Sequence, residues 1–238
     1  MKLVECADAA GLARSAADAL VARVRETPTL AIAMPAGRTP RRMYAELAVD
    51  HGRGAVGFSE LRVFEVDELC PPAPPDGYFW RQIRKEFLAW ARVPAAQCTP
   101  FSVDAPDLEA MCREYEAAIA RVGGLDVVML GLGPNGHIAS NEPGCPFDCR
   151  TRRVRLLPDT VRYVLTDEVI QGPVSASAVT LGLATIMAAR EVIVIVSGRE
   201  KRAALRGLLR GAVTESLPAS ILQTHPRCLV LADRDALG

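Results

Sequence analysis

Apolar residues change their spacing along this chain in a repeating order, with short solid runs alternating with longer stretches of helical period. Residues 9–24 place Leu12, Ala16, Leu20, Val21 and Val24 on one helical face. Residues 29–34 are apolar apart from Thr29 and stop at Pro35, which reads as a buried strand. Residues 39–47 then predict a helix, with Thr39 as N-cap and Pro40 at the first helical position. A strand over 61–66 closes on Asp67-Glu68 and is followed by a loop holding Pro71, Pro72, Pro74 and Pro75. The pattern continues with helices over 78–90 and 108–122, a strand over 125–130 and a helix over 176–189. It closes with a strand over 191–196, a helix over 199–209 and a strand over 228–231.

Strands that are apolar throughout and alternate with helices predict a parallel sheet covered on both faces. The expected architecture is a single-domain α/β fold over residues 1–238, with a doubly wound, mostly parallel, Rossmann-like sheet. In such folds ligands sit beyond the C-terminal ends of the strands, where the strand order reverses. Polar clusters directly follow three apolar runs here: residues 36–39, 67–68 and 135–142. The fold rule alone brings them near one another.

Charge and composition narrow the partners. Of 238 residues, 28 are Lys or Arg and 28 are Asp or Glu, so no net field recruits nucleic acid or an anionic membrane. An anionic ligand must be held by local cations and helix N-termini. No apolar run reaches the roughly 18 residues a bilayer span needs, and residues 1–5 lead into an Ala-rich amphipathic stretch, not a signal-peptide core. A cytoplasmic protein is expected. Seven irregularly spaced cysteines, with no Cys-x-x-Cys and only three histidines in the chain, point to reduced thiols and no metal site.

The first cluster, Pro35-Ala36-Gly37-Arg38-Thr39-Pro40, is a strand end, a glycine turn and a helix start. Free backbone N–H groups there suit a phosphate, Thr39 adds a hydroxyl and Arg38 a charge. An ordinary capped turn has the same composition. Asp67-Glu68 at a strand tip offers a general base beside such a site, or simply a solvated loop acid. The third cluster runs from Gly131 through Gly133, Asn135, Gly136 and His137 to Asn141, Glu142 and Pro143. Its glycines let the backbone approach a ligand closely. They present an imidazole able to pass a proton near neutral pH, with Glu142 within reach of a relay if the loop folds back. His51 and His225 sit in a polar stretch and a Pro turn, and both are expected to be structural. Although Gly131, Gly133 and Gly136 match the dinucleotide spacing, Pro143 and Gly144 break any following helix and no acidic ribose partner follows on a second strand.

Taken together, these blocks resemble the glucosamine-6-phosphate deaminase/6-phosphogluconolactonase superfamily over nearly the whole chain. The resemblance extends through Cys149-Arg150-Thr151-Arg152, Ser197-Gly198-Arg199-Glu200-Lys201 and residues 218–226. Gly136-His137 followed by Asn141-Glu142-Pro143 looks like the deaminases, whereas Gly37-Arg38-Thr39-Pro40 has a lactonase flavour. The resemblance implies conversion of a 2-amino-2-deoxy-hexose 6-phosphate, of the gluco or galacto series, to a ketose 6-phosphate and ammonia. It implies no metal or organic cofactor, and a sugar phosphate as the small-molecule partner of a chain that is a possible homo-oligomer. By motif, His137 would assist ring opening, Asp67 would move a proton between C2 and C1, and Glu142 would orient His137. Ala36, Gly37, Arg38 and Thr39 would wrap the phosphate, with Glu68 and Gly133 nearby and cations from Lys201 and Arg162.

One position departs from the deaminase pattern. Asn135 stands where Asp is usual, so His137 gains less support for its imidazolium form and its pKa should sit lower. Three functions stay open at this point: the deaminase/isomerase, a lactonase-type hydrolase in which His137 activates water, and a sugar-phosphate-binding protein that has lost catalysis.

Overall fold

The structure is a computed structural model that describes residues 1–74, 76–167 and 170–238. Pro75 of the proline-rich loop lies outside the described residues. In chain order the first half comprises β1 (Lys2–Cys6), α1 (Ala9–Glu26), β2 (Ala31–Met34), α2 (Arg38–Gly52), β3 (Arg62–Glu65), β4 (Asp67–Leu69), α3 (Phe79–Ile83), α4 (Ala89–Ala91), β5 (Cys98–Thr99) and α5 (Leu108–Arg121). A π-helical turn, Arg84–Leu88, joins α3 to α4. The second half comprises β6 (Val127–Gly131), β7 (Arg152–Arg155), α6 (Pro158–Val164), β8 (Ser177–Thr180), α7 (Leu183–Met187), β9 (Glu191–Val196), α8 (Arg202–Arg210), β10 (Cys228–Asp233) and α9 (Arg234–Leu237).

Seven strands form one sheet in the order β1-β10-β9-β6-β2-β3-β5, and every pairing is parallel. The solid apolar runs are explained by burial on both faces. Along β9, Val192, Val194 and Val196 enter one core layer while Ile193 and Ile195 enter the other. Along β6, Val128 and Leu130 face the first layer, and Val127 and Met129 the second. Successive side chains of a strand point to opposite faces, so a run without polar interruption is what a two-sided core requires.

The strand order reverses between β2 and β6. From β2 the chain proceeds outward to β3 and β5; from β6 it proceeds the other way to β9 and β10. The turns leaving β2 and β6 therefore open onto the crevice where such folds bind ligands.

A second, antiparallel sheet was not expected from the sequence. It has the order β4-β8-β7, with Asp67 opposite Thr180 and Arg152 also opposite Thr180. Residues 176–189, read as one helix, divide into β8 and the short α7. Gly182 marks the break, because a Cβ there would lie 2.2 Å from the Cys149 carbonyl. The β-branched Val179 and Thr180 pair with β4 and β7 instead of continuing a helix. The edge strand β1 and the arginine-rich β7 were also missed, since neither has a solid apolar run. The helix α2 starts at Arg38 and is capped by Gly37 at φ 116°, two residues before the expected Thr39. Gln82 accounts for the shift: its side chain accepts from the Gly37 N–H at 2.9 Å and donates to the Gly37 carbonyl at 3.0 Å.

Glu68 ties the two layers of structure together. One oxygen accepts from the Leu69 N–H at 2.7 Å, and the other accepts from the Phe79 and Trp80 N–H groups at 2.9 Å each. It thereby anchors the start of α3 on β4. Gly77, at φ 68°, leaves the room, since a Cβ there would fall 1.9 Å from the Glu68 carboxylate. Glu68→Ala is expected to lower the unfolding free energy by about 2–4 kcal/mol, because three buried donors lose one acceptor. Glu68→Gln, which keeps an acceptor oxygen, should lose less. Urea midpoints of the two variants check this.

Candidate active site

The three strand tips converge on one cavity. It is lined from β2 and α2 by Gly37, Arg38 and Thr39, from the start of β4 by Asp67, and from the loop after β6 by Gly133 and His137. Ala36, Ser140, Tyr163, Asp167 and Lys201 also line it. A wider open groove runs along α3 past Arg81, Arg84 and Lys85, on surface away from these tips.

One end of the cavity gathers positive charge. Lys201 follows the Gly198 turn at the end of β9 and is only 6% exposed. Among the described residues no carboxylate forms an ion pair with it or with Arg38. Burial and the neighbouring Arg38 charge both hold the Lys201 ammonium below its ordinary range, with Tyr163 opposing them. A buried cation without a counter-ion is costly unless a ligand supplies the charge. Both cations lie against the Tyr163 ring, Lys201 Nζ at 4.2 Å and the Arg38 guanidinium at 5.0 Å from its centroid.

The opposite wall carries the titratable groups. Asp67 is pushed up to about 6 by burial, and the Ser140 hydroxyl, donating to it at 2.6 Å, pulls the other way. His137 is pushed down to about 4, first by burial and further by Lys201, against the opposing charge of Glu142. The Gly133-to-His137 loop closes on itself through the Gly133 N–H to the His137 carbonyl at 2.9 Å. A Cβ at Gly133 would stand 2.3 Å from the imidazole, so only glycine admits the ring in this position.

His137 is held from behind through Asn135. The Asn135 carbonyl oxygen accepts from the His137 backbone N–H at 3.1 Å and faces Nδ1 at 2.8 Å. The Asn135 amide donates to Glu142 at 2.9 Å. The other Glu142 oxygen accepts from the Leu157 N–H at 3.0 Å, which leaves Glu142 3.8 Å from Nδ1 and not in direct contact with the ring. These roles fix the tautomer. A carboxylate oxygen requires the amide NH2, so the amide oxygen faces the ring, and Nδ1 must carry the hydrogen. Nε2 then keeps its lone pair, and among the described residues it has no partner.

Two expected ligand contacts are corrected. Arg162 points outward from α6, its side chain 73% exposed and paired with Asp159 one helical turn back. The residue after it, Tyr163, faces the cavity, since one step along a helix turns the side chain by about a quarter turn or slightly more. Glu68 is fully buried, and its oxygens go to backbone N–H groups and not to the cavity. Asn135 and Glu142 stand behind the imidazole and not on the cavity wall. His51 and His225 bond the carbonyls of Val56 and Ala189. Sequence reading missed Ser140 and Tyr163. Ser140 lies inside the glycine-rich block, three residues after His137, whereas nothing in the pattern around Tyr163 singled it out. Ala139, at φ 49°, is a non-glycine residue in the left-handed region beside these groups, a feature that clusters at functional sites.

Fold and site thus define a doubly wound α/β protein whose cavity brings a carboxylate, an imidazole and two cations together. The chain belongs to the family of glucosamine-6-phosphate isomerases and 6-phosphogluconolactonases, whose sequence profile matches residues 7–230. It is 34% identical over 240 residues to the glucosamine-6-phosphate deaminase of Geobacillus sp. (strain WCH70), covering 100% of this chain and 95% of that one. A solved monomeric glucosamine-6-phosphate deaminase superposes with a TM-score of 0.92 at 31% identity, covering 100% of both chains. The 6-phosphogluconolactonase from Trypanosoma brucei has a TM-score of 0.76 at 24% identity, covering 99% of this chain and 97% of that one, a likeness of fold.

The Asn135→Asp variant tests the tautomer argument. A carboxylate 2.8 Å from Nδ1 would favour the imidazolium, so the His137 titration should move up from about 4 by one unit or more. Imidazole NMR shifts followed against pH measure it, and an unmoved midpoint would contradict the assigned hydrogen bond.

Proposed function

We propose that this chain isomerises and deaminates glucosamine 6-phosphate, giving fructose 6-phosphate and ammonia. The observation that carries the reading is the placement of Asp67 and His137 on one cavity whose far end holds Arg38 and Lys201, neither in an ion pair among the described residues.

The phosphate is a non-reacting handle. Arg38, Lys201, the Thr39 hydroxyl and the backbone at Gly37 bind it, and that binding orients the sugar across the cavity. His137, neutral at physiological pH with Nε2 free, takes the proton of the anomeric hydroxyl and returns it to the ring oxygen, which opens the pyranose. Asp67 as carboxylate removes the proton from C2 and delivers it to C1, while the carbonyl oxygen on C1 gains a proton and the amino nitrogen gives one up, converting the open amino aldehyde into the 2-imine of the 1-hydroxy ketose. Water adds at C2 and ammonia leaves, so one water is consumed for each ammonia released. Each step is a proton transfer or a hydration, which are reactions that a carboxylate and an imidazole perform. Asn135 and Glu142 are positioning residues that keep the imidazole in one tautomer.

The direct test is incubation with glucosamine 6-phosphate, galactosamine 6-phosphate and 6-phosphogluconolactone, with ammonia and lactone consumption measured separately. Ammonia should be released from glucosamine 6-phosphate, and His137→Ala should lower kcat by roughly 10²–10⁴-fold. Lactone hydrolysis with no ammonia from either amino sugar would replace this reading with the lactonase one. Tight binding of all three without turnover would point to a sugar-phosphate-binding protein.

The pH profile supplies a second test. Asp67 must be ionised to act as base, so kcat/KM should rise with pH through about 6. The Ser140 hydroxyl stabilises the ionised form, and its loss raises the carboxyl pKa further. Ser140→Ala should therefore move the acidic limb to higher pH by about one unit, the equivalent of one hydrogen bond to a charged acceptor. A limb that stays in place would remove Asp67 from the base role.

A further inference from the structure

Arg38 and Lys201 come from separate parts of the chain, the first turn of α2 and the end of the β9 strand, and they repel one another. Without a ligand between them, long cationic side chains spread into solvent and lose their geometry. Here Lys201 is buried and Arg38 is exposed, and Tyr163 is the group they share. Its ring takes Lys201 Nζ at 4.2 Å and the Arg38 guanidinium at 5.0 Å from the centroid, both inside the range at which a cation is attracted to an aromatic face. Tyr163 belongs to α6, and Thr160 and Val164 of the same helix also line the cavity. The neighbouring Arg162, the residue on α6 best suited by charge to hold a phosphate, is turned outward onto Asp159. On this helix the contribution to the anion site is thus an aromatic face and not a charge.

We propose that Tyr163 is the positioning residue of the phosphate site: its ring gathers Arg38 and Lys201 from two parts of the sheet into one preorganised anion clamp. The proposal rests on the sugar-phosphate reading for the identity of the anion, but the clamp itself is a statement about phosphate binding. Loss of this preorganisation shows directly as weaker phosphate binding, which inorganic phosphate reports apart from the chemical step. The ring face, present in Phe as well as Tyr, is the part that gathers both cations.

The experiment compares wild type, Tyr163→Phe, Tyr163→Leu, Arg38→Met and the Arg38→Met/Tyr163→Leu double variant. Steady-state kinetics with glucosamine 6-phosphate are paired with calorimetric titration of inorganic phosphate, which reports binding whether or not the chain turns over an amino sugar. Tyr163→Leu should raise KM about tenfold, as expected when two cation–π interactions are removed from a partly buried site, with the change falling in KM and not in kcat. Inorganic phosphate should weaken in parallel. Tyr163→Phe should lose clearly less than Tyr163→Leu, and the double variant should lose less than the product of the two single losses, because both remove the same interaction. Equal losses in Phe and Leu would overturn the ring's role in favour of the hydroxyl. Full additivity with Arg38→Met, or a fall in kcat with KM and phosphate affinity unchanged, would overturn the clamp. If wild type binds phosphate with this variant pattern yet releases no ammonia, the clamp stands and the proposed reaction falls. Tyr163 is half-buried on a short helix, so the Phe variant keeps the test open should Leu disturb α6.

Discussion

A cation enclosed by protein and, among the described residues, in no ion pair with a carboxylate is an expensive arrangement, and this fold maintains one at Lys201. Much else in the cavity follows from that charge. It makes the end of the pocket receptive to an anion. It also reaches His137, adding to burial in keeping the imidazole neutral. The sheet makes the arrangement possible: the order reverses between β2 and β6, so the loops beyond their tips can face each other across an open crevice, with the β9 turn carrying Lys201 alongside. Gly37 and Gly198, both at positive φ, supply the turns by which the chain leaves β2 and β9.

The parts of the fold that were legible in the sequence are those where a local pattern and the tertiary environment agree. β2, β6 and β9 are buried on both faces, so their sequences are apolar without interruption and cannot be mistaken for surface elements. The glycine-rich block beyond β6 was legible for a similar reason: Gly133 and Gly136 are required by contacts that any Cβ would violate, so the backbone itself demands the motif. Residues whose role depends on orientation were not legible. Arg162 and Tyr163 are adjacent, and charge favoured Arg162 for an anion site, yet the rotation of α6 gives the cavity to Tyr163. Glu68 sits beside Asp67, but alternation along β4 sends the one carboxylate into the protein interior and the other to the cavity. The second sheet was hidden because its strands are short and β7 carries three arginines among four residues, a composition that suggests surface loop until a partner strand is supplied.

Asn135 illustrates how a substitution that looks like a loss can follow from the electrostatics of its site. An aspartate there would put a second carboxylate within hydrogen-bonding distance of Glu142, a like-charge pair in a partly buried position. Asparagine donates to Glu142 with one end and accepts from the imidazole with the other, so the chain of contacts is satisfied without a second charge. His137 does lie low, but the cause is burial first, with Lys201 adding to it against Glu142, and not the exchange at Asn135.

Burial moves Asp67 and His137 in opposite directions, and the result is a common working window. Removing water disfavours whichever form is charged, so the carboxyl rises to about 6 and the imidazole falls to about 4. Above about pH 6 both groups therefore stand in their basic forms. A site holding two bases and no preformed acid is suited to steps that return each proton they remove. Ring opening is such a step, since the proton leaves one sugar oxygen and arrives on another. Transfer from C2 to C1 is the second. Neither leaves the protein with a net change of charge, which is the condition under which a neutral imidazole and a single buried carboxylate can serve side by side near two cations.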